Sequence, residues 1–325
     1  MARQTEDRVL FGVDGGASKT AGVAIACGGR VLARVRQRGS SILGAPKPES
    51  CAVLASVVDD LCTQCGRSRD AVLRCGIGLN GVDFADETPM QHAEISRAIG
   101  LAPERVGLVN DGIVALWGAT SAPAAVMVQH GSGFTAAYRS DYGGEMLFDH
   151  LSVADVFDLR SGLIALVARM INGMVAPTPL KEKALAFFGV DEEDYCEAVF
   201  RGFIPRDRRM STGPLIFGAW LEGDAGADFL VQAALEDYAL AAKAMMVKSK
   251  STSPGVALGG GLLSAAPTRF WEALTERLQA SYPGVVARPP RLPPEFGAAI
   301  MAGYEVGPDP QALFGQLAEQ LPAES

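Results

Sequence analysis

The sequence predicts an α/β protein of two lobes, each built on one βββαβαβ unit that occurs twice along the chain. Three observations carry this. At 325 residues the chain exceeds the usual size of a single hydrophobic core. Short apolar runs alternate with segments of helical periodicity. The same series of strands and glycine turns appears in both halves.

In the first half, Val9 to Val13 is an apolar run ending at Asp14-Gly15-Gly16, and Ala21 to Ala26 and Val31 to Val35 follow as two further strands. The third strand leads into a Gly/Ser/Pro loop, Gly39 to Pro48, and then a helix carrying Val53, Leu54, Val57, Val58 and Leu61. A strand at Val72 to Leu79, a helix around Ala93 to Ile99 and a strand at Val106 to Val109 come next, and Asn110-Asp111 opens a helix through Ala119. In the second half, Ala125 to Val128, His130-Gly131-Ser132-Gly133 and Thr135 to Tyr138 repeat the first strand, its glycine turn and the second strand. Gly76 to Gly81 resembles Val256 to Gly261, and Leu108 to Ala115 resembles Pro294 to Ala299. The second half is longer because of a helical insertion at about 152–250, with apolar spacing at Leu163, Leu166, Val167 and Met170. A strand is expected near Val285-Val286, then a helix at Glu295 to Tyr304 entered through prolines, and a short amphipathic helix at Asp309 to Leu321. The expected division is a first lobe of residues 1–118 completed by 304–325, and a second lobe of 119–303.

Composition narrows the function classes. With 48% hydrophobic and 20% charged residues the chain is that of an ordinary globular protein. A net charge of −8 argues against a nucleic-acid or anionic-membrane surface and favours a small-molecule partner. Met1 to Asp7 is polar, and no stretch reaches membrane-spanning length, so a cytoplasmic protein is expected. Six cysteines are too few for a disulfide scaffold. Cys62-Thr63-Gln64-Cys65 lies within a helical pattern and has no second pair at zinc-finger spacing, which favours a helix face over metal or redox chemistry.

The glycine turns carry the chemistry. A Gly-Gly turn between strands offers backbone N–H groups with no side chains in the way, so a phosphate chain can approach Gly15 and Gly16. Ser18, Lys19 and Thr20 add hydroxyl and ammonium donors. Asp14 would repel a bare phosphate, which implies a bridging Mg²⁺. A plain hairpin with a capping aspartate is the competing reading. The loop is neither a Walker A motif nor a G-x-G-x-x-G fingerprint. Gly131-Ser132-Gly133 repeats the turn and could hold the terminal phosphates, while His130 reads better as a neutral imidazole packed at a strand end than as a catalytic group. Asp111 follows a strand, where α/β folds deliver catalytic groups, and phosphoryl transfer to a hydroxyl needs one carboxylate as proton acceptor besides the one that orients Mg²⁺. Against this, Asp111 or Asn110 could serve only as a helix cap. Gly259-Gly260-Gly261 could lie flat against adenine or ribose, or serve helix packing.

Taken in order, Phe11 to Thr20, Val109 to Ala115, Val128 to Gly133, Ala257 to Leu262 and Glu295 to Gly303 resemble the five motifs of the actin, hexokinase and heat-shock-chaperone ATPase superfamily. Within it, Val13 to Thr20, Val109-Asn110-Asp111 and Phe296-Gly297-Ala298-Ala299 resemble the BadF/BadG/BcrA/BcrD-type ATPases and N-acetylglucosamine kinases. The resemblance implies two ribonuclease-H-like lobes with a nucleotide cleft between them, ATP and Mg²⁺ as cofactors, and a homodimer. It implies Asp14 at the metal, backbone at Gly15, Gly16, Gly131 and Gly133 on phosphates, Asp111 as general base, and adenosine near Gly259-Gly260. The sugar side would take Ser40, Ser41, Asn80, Gly81, Asp83, Asn110 and Asp111, Asp83 reading equally as an exposed loop aspartate. Here the chain departs from the family. The loop Gly39 to Gly44 lacks the usual asparagine, Phe134 replaces a serine after the second turn, and Leu147 to Ser152 replaces a G-D-E-G-S segment. An ATP-dependent amino-sugar kinase is expected, against an iron–sulfur ATPase that drives a partner, which the cysteine placement disfavours, and a non-catalytic sugar-binding regulator.

Overall fold

Val9–Gly15 (β1), Lys19–Ala26 (β2) and Val31–Arg38 (β3) form the expected antiparallel meander. Every position of β1 is buried, which is why Val9 to Val13 reads as an unbroken apolar run. The computed structural model describes residues 8–131, 133–148 and 156–321. Pro48–Cys65 (α1) buries Val53, Leu54, Val57, Val58 and Leu61, and ends at Gly66 in the left-handed conformation that a helix stop favours. It leads to Val72–Leu79 (β4), parallel to β1, and Thr88–Ile99 (α2) then crosses to Val106–Val109 (β5), parallel to β4. Asp111–Ala119 (α3) follows. The sheet order is β3-β2-β1-β4-β5.

Ala125–His130 (β6), Phe134–Arg139 (β7) and Glu145–Phe148 (β8) open a second sheet. The helices Leu159–Ile171 (α4), Pro179–Phe188 (α5), Tyr195–Phe200 (α6), Arg206–Met210 (α7), Gly213–Leu221 (α8) and Ala225–Ser249 (α9) form the insertion, whose expected beginning at Ser152 lies outside the described residues. Leu163, Leu166, Val167 and Met170 are buried. Gly255–Gly259 (β9), Thr268–Gln279 (α10) and Ala287–Arg288 (β10) complete the set, the last strand falling just after the expected Val285-Val286. The order β10-β9-β6-β7-β8, read backwards, repeats that of the first sheet strand for strand, and so bears out the duplicated unit. Pro294–Tyr304 (α11) and Pro310–Gln320 (α12) end the described chain. No helix among the described residues is long and apolar enough to cross a membrane.

Two compact units result, and their division differs from the expected one. The first holds the described residues up to Met127 with Ala137–Leu147 and Pro290 onward, and the second holds Val128–Ala136 and Phe148–Pro289. Helix α11, expected in the second lobe, thus belongs to the first unit. The reason is close packing through glycines. A Cβ at Gly12 of β1 would stand 2.0 Å from the Glu295 carbonyl oxygen, one at Gly76 of β4 would stand 2.2 Å from that of Ala298, and one at Gly297 would stand 2.0 Å from that of Val114 in α3. Without side chains at these points the α11 backbone lies directly on β1, β4 and α3.

Candidate functional site

In the first unit, the hairpin between β1 and β2 is closed by the Gly16 N–H donating to the Lys19 carbonyl at 2.9 Å, with Ala17 and Ser18 exposed at its tip. The loop after β3 rests on it. Ser40 and Ser41 N–H groups both donate to the Gly16 carbonyl, at 3.1 and 3.2 Å, and a Cβ at Gly39 would stand 2.2 Å from the Ala17 oxygen. Thr20 is fully buried; its hydroxyl lies 2.8 Å from both the Arg38 carbonyl and Ser40 Oγ, and Ser40 is itself buried. Three residues expected to touch ligand therefore shape the loop instead: the Gly16 amide and the Thr20 and Ser40 hydroxyls are engaged inside it. A fully buried hydroxyl already hydrogen-bonded has little to offer a phosphate. The exposed tip at Ala17-Ser18, with Lys19 beside it, is the part of the turn open to a ligand.

Asp14 stands at the carboxyl end of β1, level with Gly78 of β4. It is 8% exposed, and burial above all, followed by the negative charges of Asp111 and Glu295, pushes its carboxyl up to about 7 against the pull of Lys19. Asn110 settles the capping question for α3. Its Oδ1 accepts from the Gly112 N–H at 2.7 Å and its Nδ2 donates to Asp83 Oδ1 at 2.6 Å. Asp111 is then the first helical residue, its carboxylate not required as the cap and placed at the positive end of the helix. Asp83 is thus a partner of Asn110 rather than an unattached loop charge. Asn80 ties the neighbouring loops together, its N–H donating to the Gly15 carbonyl and its own carbonyl accepting from the Ile42 N–H, both at 2.9 Å. Gly81, at φ +100°, lets the loop press on Ile42, where a Cβ would meet the carbonyl oxygen at 2.1 Å.

One group in the first unit was not foreseen. Glu295, 5% exposed at the start of α11, accepts from Arg34 at 3.3 Å through Oε1, while its buried Oε2 has no hydrogen-bond partner among the described residues. The signal in the sequence is a carboxylate set directly before the apolar Phe296-Gly297-Ala298-Ala299.

In the second unit, the Gly131 N–H donates to the Gly133 carbonyl at 3.0 Å, and both glycines face open space where a Cβ would be. Ser132, expected to bind phosphate, lies outside the described residues. Gly260, at φ +103°, rests on this turn, since a Cβ there would stand 2.3 Å from the His130 oxygen and 2.9 Å from the Gly131 nitrogen. The Gly259-Gly260-Gly261 segment and the second glycine turn thus form one backbone surface. His130 has partners that were not apparent from the sequence: Tyr238 Oη is 2.6 Å from Nδ1 and Asp158 Oδ1 is 3.5 Å from Nε2. Phe134 stacks on Tyr238 with ring centroids 5.9 Å apart and meets His130 edge-on. It therefore packs in the core of the second unit. The altered segment at 147–152 lies outside the described residues beyond Phe148.

Residues 11–148 match the model of the BadF/BadG/BcrA/BcrD ATPase family. A curated N-acetylmuramic acid/N-acetylglucosamine kinase of Clostridium acetobutylicum is 23% identical over 309 residues, covering 92% of this chain and 99% of that protein. Among solved structures, a candidate N-acetylglucosamine kinase from Chromobacterium violaceum aligns with TM-score 0.67 and 25% identity over 91% of this chain and 99% of that one. A ROK family glucokinase from Streptomyces griseus, solved with glucose and AMPPNP, shares the fold at TM-score 0.54 and 16% identity, over 92% of this chain and 98% of that one. These comparisons bear out the resemblance that the motifs carry.

Proposed function

We propose that the chain is an ATP-dependent kinase that transfers the γ-phosphoryl group to a hydroxyl of an amino sugar, N-acetylglucosamine or glucosamine. One observation above all supports this reading. Asn110 caps the helix and partners Asp83, and Asp111 stands next to it as the first helical residue, within electrostatic reach of Asp14. That is the pair that phosphoryl transfer to an alcohol requires, one carboxylate to take the proton and another to serve the cation.

In this reading an Asp111 carboxylate oxygen accepts the proton of the attacking hydroxyl. The Ala17-Ser18 tip with the Ser18 and Lys19 side chains, and Gly131, Ser132 and Gly133, receive the phosphates, and Gly259 to Gly261 receive the adenosine. Ser41, Asn80, Gly81, Asp83 and Asn110 orient the sugar. Asp14 would hold Mg²⁺, which neutralises phosphate charge when bound. The residues present fit a divalent cation. Burial and the negative charge around it push the Asp14 carboxyl up to about 7, a penalty on its charged form that a bound cation would relieve, and Glu295 Oε2 is a buried acceptor without a donor among the described residues. Among the described residues no three such side chains gather closely enough to form a cage, so phosphate oxygens and water would supply the remaining ligands. The cytoplasm, where ATP is available, and, on family resemblance, a homodimer belong to the same reading.

Asp111→Asn should lower kcat by about 10²–10⁴, the usual worth of a positioned base, while ADP affinity stays within a few-fold. Unchanged sugar phosphorylation in that variant removes Asp111 from its role. A panel of N-acetylglucosamine, glucosamine, N-acetylmuramic acid and glucose with Mg-ATP, followed by ADP release, tests the reading as a whole. No stimulation by any acceptor would overturn it in favour of a sugar-binding regulator.

A further inference from the structure

In the first unit, the two loops that the reading above gives to the sugar are fastened by a side chain that belongs to neither. Gln91, on the first turn of α2, is fully buried. Its Nε2 donates to the Gly44 carbonyl at 2.9 Å and to the Gly81 carbonyl at 3.2 Å, with Glu87 Oε2 further off at 3.4 Å. Only the amide nitrogen can serve two carbonyls, so Oε1 is the atom left over, and it has no hydrogen-bond partner among the described residues. A buried acceptor without a donor offsets much of what the two bonds contribute, so stability alone gives little reason for a glutamine at this point.

What the two bonds reach suggests a different role. Gly44 lies three residues after Ser41, in the loop that follows β3, and Gly81 lies two residues before Asp83, whose Oδ1 takes Asn110 Nδ2. The loops already meet once, where the Ile42 N–H donates to the Asn80 carbonyl at 2.9 Å. A single hydrogen bond leaves two loops free to swing about it. A second fastening, made by both N–H groups of one planar amide, fixes the angle between them. From α1, Ser50 Oγ holds the Ser41 carbonyl at 3.0 Å, so the first loop is tied on both sides of Ile42. We propose that Gln91 is a positioning residue that sets the 39–44 loop against the 80–83 loop, and with it the placing of Ser41 and Asp83 on the sugar. This deepens the kinase reading above and rests on it.

The test uses the full chain with Gln91→Met and Gln91→Asn, and calorimetric binding of N-acetylglucosamine, glucosamine and AMP-PNP beside two-substrate kinetics and melting temperature. Methionine is unbranched and similar in length, and it removes both donors together with the unmatched acceptor; asparagine keeps the amide but shortens its reach by one methylene. Gln91→Met should weaken the sugar that the wild type binds, and raise its KM, by about 3–10-fold, the worth of one hydrogen bond to a misplaced group. AMP-PNP affinity and KM for ATP should stay within about twofold. Equal losses for sugar and AMP-PNP, or a lowered melting temperature with unchanged sugar affinity, would mark a purely structural amide and overturn the proposal. Should Gln91→Met fail to fold, Gln91→Asn decides by the same criterion. A wild-type chain that binds neither sugar overturns the amino-sugar reading and this proposal together, whereas variants that bind sugar as well as a binding wild type overturn this proposal alone.

Discussion

Replacing Gly297 with alanine adds one methyl group at the point where α11 lies on α3. That carbon would sit 2.0 Å from the Val114 oxygen, 2.4 Å from the Gly118 nitrogen and 3.0 Å from the Gly118 Cα. All three are backbone atoms, so no rotamer change relieves the clash and the helices must move apart. Overpacking usually costs 1–3 kcal/mol, and a backbone contact this short belongs at the upper end, about 3 kcal/mol. Alanine returns about 1 kcal/mol of helix propensity, leaving a net loss of about 2 kcal/mol. At 2–4 °C per kcal/mol the melting temperature should fall by about 4–8 °C. Gly315 is the internal control. It lies in α12 with open space where a Cβ would be, so Gly315→Ala should stabilise by about 1 kcal/mol. The same displacement moves α3, which carries Asp111 on its first turn, and a shift of about 1 Å can reduce turnover on the order of 100-fold. Differential scanning fluorimetry and sugar-dependent ADP release read both effects. A Gly297→Ala protein that melts at or above the wild-type temperature would refute the packing argument.

Two further outcomes follow from the same geometry. Asn110→Ala should destabilise the protein by about 1 kcal/mol through the lost α3 cap and, by releasing Asp83, should raise KM for the sugar more than KM for ATP, as checked by denaturant melts and two-substrate kinetics. Burial pushes the Cys75 thiol up to about 12, so its thiolate stays scarce even at pH 10, and mass spectrometry after N-ethylmaleimide treatment should find exposed Cys196 modified and Cys75 untouched until denaturant is added.

The elements of the two sheets were readable in the sequence because each is local: an apolar run of strand length ended by glycine, or a helix whose apolar residues recur every three to four positions. The close turn at Asp14-Gly15-Gly16 and the Asn110-Asp111 helix start are of the same kind, and the structure adds only which of the two residues caps. What escaped depends on contacts between distant residues. Thr20 and Ser40 look like free hydroxyls in sequence, and only the folding of the β3 loop onto the hairpin shows them engaged with each other. His130 looked unpartnered because Asp158 and Tyr238 follow 28 and 108 residues later, both in the helical insertion. The packing of Phe134 could not be read either, because its stacking partner is that same Tyr238. The place of α11 could not be read from periodicity, because a helix buried on every side has no polar face to show which neighbour it covers.

Because α11 packs in the first unit, that unit is completed by a segment made late in synthesis. The strands β1 to β5 leave the ribosome first, but the helix that covers Gly12 and Gly76 is synthesised only after the entire second unit. At about 5–20 residues per second that delay is on the order of 10–40 s, during which the nascent first unit carries an uncovered apolar sheet face. Chaperone capture of stalled chains should therefore persist past the completion of β5 and end only once Pro294–Tyr304 has emerged.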